Sequence, residues 1–340
     1  MVVARVAHTS TFIPETNSVL ITGGDSNNLW IGSPSTETFL SSNGSSALGR
    51  NMTEARFLHT ADHLGPHEIL IAGGSNTSNA EVFDPLLGIT NRTVIMSAPR
   101  IEHKSALIDY GGVKRVLLMG GYYGVEMDIS PTGEVYDNVT DTFKPVNNNM
   151  SSARVGHTAT AIPNGTVVIA GGFSETFTPL DSIEVYSSAS NIFVPLIARL
   201  SHARGYHTAT YIPSIQAILF TGGEFNYTSS VALQTYELFD ILSLTIIRNG
   251  TLLDPKTGGT ATLLLNGEVL LVEGYDGFND TITCELYNPM TDLWRAAASL
   301  NMARDGHTAT LLENSGQVLI CGGVIQPSYS VLDECELYHP

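Results

Sequence analysis

The chain has 340 residues, 43% of them hydrophobic and only 14% charged, with 16 Lys plus Arg against 33 Asp plus Glu. That composition folds rather than staying disordered, and a formal charge of −17 repels phosphate backbones and anionic membranes, which argues against nucleic acid as a partner. No apolar run reaches the ~18 residues of a membrane span; Met1 to Arg5 opens no apolar stretch of signal-peptide length; and three cysteines are too few for a disulfide scaffold or a four-cysteine zinc site.

Taken in chain order, one pattern returns. The first unit opens with Arg5, places His8 three residues later, runs through an apolar stretch to Gly23-Gly24 and reaches Glu37 and Phe39. The second repeats this at Arg56, His59, Gly73-Gly74, Glu81 and Phe83, and the third at Arg100, His103, Gly120-Gly121, Glu134 and Tyr136. The fourth has Arg154, His157, Gly171-Gly172, Glu184 and Tyr186; the fifth has Arg204, His207, Gly222-Gly223, Glu237 and Phe239. The sixth is degraded: Lys256 stands for the arginine, Gly259 for the histidine and Glu273-Gly274 for the glycine pair, before Glu285 and Tyr287. The seventh has Arg304, His307, Gly322-Gly323, Glu336 and Tyr338. Successive glycine-pair positions lie 50, 47, 51, 51, 51 and 49 residues apart, which is the mark of a repeat architecture.

Each unit reads as four strands. Strand A carries His-Thr-Ala-Thr or a relative of it, and strand B is a short β-favouring run such as Val167-Val168-Ile169 or Val318-Leu319-Ile320. Strand C carries the Glu-x-aromatic phrase, and strand D surrounds a distal aromatic (Phe143, Phe193, Trp294) expected in the core between units. Asn164-Gly165 and Asn266-Gly267 lie between strands A and B, where that dipeptide favours a two-residue type I′ turn. One four-stranded unit cannot bury both faces alone, so the units are expected to stack radially. The fold class predicted is all-β, a seven-bladed propeller of four-stranded antiparallel blades in one domain over 1–340, with blades at about 1–54, 55–98, 99–152, 153–202, 203–254, 255–302 and 303–340. The chain stops after strand C of the seventh unit. That blade is expected to lack its outermost strand, the ring to close by packing of first against last, and the chain to be part of a longer product.

This phasing resembles the kelch repeat of β-propeller proteins over essentially the whole chain. The resemblance implies binding of a protein partner through the rim that holds the B–C and D–A loops. Divergent loops on a fixed scaffold point the same way, and so do their aromatics: Trp30, Tyr122, Tyr123, Phe173, Phe177, Phe225, Tyr227, Tyr275, Phe278 and Tyr329. Acids are interspersed among them at Asp25, Glu126, Asp128, Glu175, Glu224, Asp276 and Asp280. Such a mixture suits recognition of a peptide or a glycan.

The recurring residues read as scaffold. His157 is expected beside Gly172 across the hairpin, its imidazole lying over a residue without a side chain, with Glu273 compensating where Gly259 replaces the histidine. The repeated Glu and Arg suggest local ion pairs or backbone hydrogen bonds. No metal site is assigned to the histidines, because symmetric copies on a wide ring do not converge.

The same superfamily resembles copper radical oxidases such as galactose oxidase, and Arg204-Gly205-Tyr206-His207 is similar to their ligand phrases. The rest of the pattern departs. The residue before the histidine position is Ala7, Leu58, Glu102, Gly156, Tyr206, Gly258 and Gly306, so tyrosine stands there once. Cys284, Cys321 and Cys335 lie on strands B and C rather than at the start of a strand A, and a histidine from a following domain has no counterpart. The reading is therefore of a non-enzymatic module with no catalytic residues, no cofactor and no metal, with an oxidase-like enzyme and a substrate-adaptor propeller of a ubiquitin ligase as alternatives.

Ten sequons begin at Asn43, Asn51, Asn76, Asn91, Asn138, Asn149, Asn164, Asn226, Asn249 and Asn279, mostly at predicted turns. They favour passage through the secretory pathway as part of a longer chain, against a cytoplasmic alternative that the missing leader suggests. Cys321 and Cys335, on neighbouring strands, are candidates for a disulfide.

Overall fold

The computed structural model describes residues 1–27, 29–110, 112–123, 128–228, 231–272 and 274–340. Among them the protein is all-β apart from one short 3-10 turn at Pro213–Ile215. Six antiparallel sheets of four strands follow one another, each ordered as in the chain. The fourth is typical: strand A is Thr158–Ala161, B is Thr166–Ala170, C is Ser182–Ser187 and D is Ile192–Arg199. The last sheet has three strands, Thr308–Leu312, Gln317–Cys321 and Cys335–Tyr338. Strands A touch their neighbours in a closed circle that includes first against last.

Strands B are apolar on both faces because both faces are covered. Val167 to Ala170 and Val269 to Val272 are fully buried. The core lies between sheets rather than within them. Ala106, Ile108, Leu117 and Met119 of the third sheet pack on Val167, Ile169, Tyr186 and Phe193 of the fourth. Phe143 packs into the layer between the second and third sheets, and Trp294 into that between the fifth and sixth.

The repeated basic residue ties two sheets at once. Its side chain meets the strand C carboxylate of its own sheet in every unit: Arg5–Glu37 at 3.0 Å, Arg56–Glu81 at 3.1 Å, Arg100–Glu134 at 3.0 Å, Arg204–Glu237 at 2.8 Å, Arg304–Glu336 at 2.7 Å, and Arg154–Glu184 and Lys256–Glu285 in the same way. Its carbonyl accepts the N–H of the second glycine in the preceding sheet, as in Gly172 N to Arg204 O at 2.8 Å and, closing the ring, Gly323 N to Arg5 O at 2.9 Å. Removing one partner of such a buried pair costs about 3–5 kcal/mol.

The hairpin at Asn164-Gly165 differs from the expected type I′ turn. Ile162 N donates to Thr166 O and Gly165 N to Ile162 O, so three residues form the loop. Only Gly165 is left-handed, at φ 80°, and Asn164 is not. Pro163 pre-sets a type I turn, and the glycine absorbs the following left-handed step. Asn266-Gly267 makes the same pair of bonds without a proline. Cys321 and Cys335 face each other in register and are joined as a disulfide.

Candidate functional site

The six histidines are structural, but each ring lies over a different glycine from the one expected. The Cβ of His157 is the part that faces Gly172, 2.8 Å from where a Cβ would stand there. The imidazole reaches into the preceding sheet, with Cε1 2.5 Å from the Cβ position of Gly120. The first glycine of the pair therefore admits the neighbour's imidazole at Gly23, Gly73, Gly120, Gly171 and Gly322, and the second stands against its own sheet's histidine. The Nε2 atoms bond hydroxyls of the preceding sheet: His59 to Thr9 at 3.1 Å, His103 to Thr60 at 3.1 Å, His207 to Thr158 at 3.0 Å, His307 to Thr260 at 2.9 Å, and His8 to Thr308 at 3.0 Å across the closure. Burial holds the rings neutral, with His8, His103 and His307 lowered to about 3. His157 is the exception. Lys104 occupies the hydroxyl position opposite it, and neither ring nitrogen has a partner. At the sixth unit Lys256 covers Gly222 where a histidine would. The compensation expected of Glu273 lies outside the described residues, as does Glu126.

One residue earlier, the chain turns left-handed in every unit: Ala7 at φ 56°, Leu58 at 51°, Glu102 at 54°, Gly156 at 62°, Tyr206 at 51°, Gly258 at 68° and Gly306 at 63°. This strain costs about 1–2 kcal/mol for a residue with a Cβ, and here the fold imposes it at every copy. Backbone bonds link these residues from sheet to sheet, Leu58 N to Ala7 O and Glu102 N to Leu58 O at 2.9 Å each, and Tyr206 N to Gly156 O at 2.8 Å. They form a collar around the axis on the rim that the B–C and D–A loops share. The short pairings Val6 with Asp25, Val155 with Phe173 and Gly205 with Glu224 bring the two sets of loops together on that rim.

On the collar, Tyr206 of the fifth sheet comes close enough to Glu102 of the third for the carboxylate and the phenol to act on each other. Its ring covers Gly156, where a Cβ would stand 3.1 Å from the ring. Burial raises Glu102, and burial with the nearby carboxylate raises Tyr206. Phe173 packs on Tyr206 and Tyr227 at centroid distances of 5.8 and 5.2 Å, Tyr227 on Phe177 at 4.5 Å, and the Tyr122 and Tyr227 hydroxyls are 3.3 Å apart. Beside this cluster a cleft of about 410 Å³ opens between Asn149 to Ala153 and Ser174 to Thr176.

The loop aromatics thus divide. Trp30, Tyr123, Phe225, Tyr227, Phe278 and Tyr329 are exposed, and Trp30 leans on Phe57 at 6.0 Å. Tyr275 is half-buried, paired with Thr257 and Asp280. Tyr122 is buried but for its edge, and Phe173 is wholly buried, so it supports the cluster from beneath rather than meeting a partner. Several acids also serve their own loops: Asp25 accepts the N–H groups of Asn27, Trp30 and Ile31, and Asp276 those of Phe278 and Asn279. Tyr206 and Glu102 are the residues that a search of the loops alone misses. The signal for them was the irregularity of the residue before the histidine. Of the ten sequon asparagines, nine are exposed; Asn138 is half-buried with its amide oxygen shut off from solvent.

The residues do not fit copper. Tyr206 stands on the collar with its ring over Gly156, while His207 lies between sheets with Nε2 on Thr158. Among the described residues no three His, Cys, Asp or Glu side chains come together as a metal site.

No family model matches the sequence. Among curated proteins, the chain is 31% identical over 124 residues to the kelch repeat-containing protein kel-10 of Caenorhabditis elegans, and 30% identical over 129 residues to the kelch repeat and BTB domain-containing protein F47D12.7 of the same organism. These matches cover 34% and 36% of this chain and only 20% and 21% of the relatives. Among solved structures, a fungal alcohol oxidase of the AA5 family in complex with copper superposes with a TM-score of 0.80, covering 99% of this chain and 75% of the oxidase at 16% identity. The phased repeat, the kelch relatives and this fold together support a place in the kelch and galactose oxidase-like propeller superfamily. Among the described residues no helix is long and apolar enough to cross a membrane.

Proposed function

We propose that the protein is a non-enzymatic recognition module that holds a protein or glycan partner on the rim formed by its B–C and D–A loops. The observation that carries this reading is a division of labour. The repeated Arg, Glu, His and Gly residues are consumed in joining sheets, whereas the non-repeating residues on one rim leave Trp30, Tyr123, Phe225, Tyr227, Phe278 and Tyr329 open to solvent. Pull-down with the intact chain against the Tyr122→Ala, Phe225→Ala, Tyr275→Ala triple variant tests it. Loss of the captured partners supports the rim, and equal capture by both proteins ends the assignment.

A second reading, an oxidase-like enzyme, is favoured by the copper-bound alcohol oxidase that shares the fold and by the Tyr206-His207 pair. Copper loading followed by an alcohol-oxidation assay separates the two: hydrogen peroxide production would displace the binding module as the leading account.

A further inference from the structure

We propose that the aromatic cluster on the third to fifth sheets, backed by Glu102, receives the cationic side chain of a basic partner segment. The inference rests on the reading of this rim as the partner surface and names the partner's chemistry.

The cluster offers aromatic faces next to a carboxylate. Phe177 and Tyr227 are 41% and 37% exposed, and Phe225 beside them is 47% exposed, so their rings are reachable. Phe173 holds Tyr206 and Tyr227 from below, and the Tyr122 hydroxyl steadies Tyr227. A guanidinium or ammonium group within ~6 Å of such rings is attracted by their negative faces, and more strongly where water is partly excluded. Glu102 is fixed on the collar by its left-handed backbone and by its N–H, which donates to Leu58 O at 2.9 Å, and it stands near Tyr206. Asp128, which pairs with Tyr123 in the short ribbon next to Tyr122, and Glu175, in the loop that carries Phe177, are both exposed nearby.

The charge distribution favours the same occupant. Seven of the sixteen cations are buried inside the sheets against seven carboxylates. The net −17 is therefore carried by what remains, and it steers a positive segment toward the protein. Lys104, two residues beyond Glu102, is the cation that bears on the cluster. It is half-buried on the inner strand one level below the collar, and its charge acts on Glu102. An acidic segment would have to pass Glu102, Asp128 and Glu175 to reach it.

The test is fluorescence anisotropy at physiological salt with labelled peptides of equal length: Gly-Arg, Gly-Lys, Gly-Glu and Gly-Ser repeats. The Arg and Lys peptides are expected to bind, the Arg peptide more tightly. Glu102→Gln and the Phe177→Ala, Tyr227→Ala pair are each expected to weaken binding ~3- to 30-fold, whereas Tyr227→Phe, which keeps the ring, retains it. Glu313→Gln, at an exposed turn between strands A and B on the opposite rim, is the control and leaves binding unchanged. Equal loss in the control and in Glu102→Gln overturns the proposal in favour of diffuse charge attraction. Binding of the Gly-Glu or Gly-Ser peptide that depends on the same residues overturns the cation while leaving the rim as the partner surface. No binding by any peptide overturns the cation too, and the triple-variant pull-down then decides the rim by itself.

Discussion

Two positions one residue apart behave in opposite ways around this ring. The histidine position keeps the same residue in six of seven units, because the imidazole fills a slot in the preceding sheet made by a glycine and, in every unit but that of His157, a threonine of that same sheet. The position before it holds Ala7, Leu58, Glu102, Gly156, Tyr206, Gly258 and Gly306, five residue types on one left-handed backbone. The first is set by packing on both sides; at the second only the left-handed backbone recurs, and the side chain differs from unit to unit. In a repeat protein, sameness between copies marks the joints, and difference marks the places left for recognition.

The comparison breaks most visibly at glycine. Gly171→Ala puts a Cβ against the Arg204 carbonyl and 2.8 Å from the His207 ring, at φ 61°, and is expected to cost about 2–5 kcal/mol. Gly306→Ala, at φ 63° but with only Val6 at 3.2 Å, is expected to cost about 1 kcal/mol, since Ala7 already occupies the equivalent position. Urea unfolding of both variants checks the contrast, and equal losses would remove it.

Acid probes the histidine layer next. His8, His103 and His307 are held near 3 by burial, below the ordinary value of 6.5, so the unfolded chain binds more protons between those limits. The stability that the neutral rings contribute is complete above about pH 6.5 and declines as pH falls toward 3. Each ring adds a slope of up to ~1.4 kcal/mol per pH unit. Asp62 and Asp305, raised by burial to about 6 and about 7, oppose this from roughly pH 4 up to those values. Chemical denaturation at pH 7.5, 6 and 5 should show a net fall, and a flat profile would mean that the rings are not buried in the neutral form.

The smallest effect sharpens the exception. Lys104→Thr supplies the hydroxyl that His157 lacks but also removes the cation near Glu102, so it is compared with Lys104→Ala and is expected to be about 0.5–1.5 kcal/mol more stable than that variant. Equal stability of the two variants would show that His157 needs no partner there.

Much of the architecture was legible in the primary structure. The spacing of Arg154, His157, Gly171 and Glu184, and of their copies, identifies the strands, and the buried Arg–Glu pairs follow the phase that the repeat suggested. The hairpin was not legible. Asn164-Gly165 is compatible with two turns, and strand register selected between them, since Asn266-Gly267 forms the same turn without a proline. Nor was the direction of the imidazoles, because cross-strand pairing within one sheet says nothing about which neighbouring sheet a ring will enter. At the rim, composition identified the loops but not the fate of each aromatic. Phe173 and Tyr227 are both loop aromatics, and one is wholly buried while the other is open.

By itself the sequence determined the repeat, its strands and the residues that each copy must share, because local spacing and the need to bury two faces of every sheet leave few alternatives. Only the closed ring decided that Glu102 of one unit and Tyr206 of another would meet over Gly156, and that Phe173 would lie beneath them. Residues a hundred positions apart become neighbours through rotation about a common axis, a distance relation that no pattern along a single strand encodes.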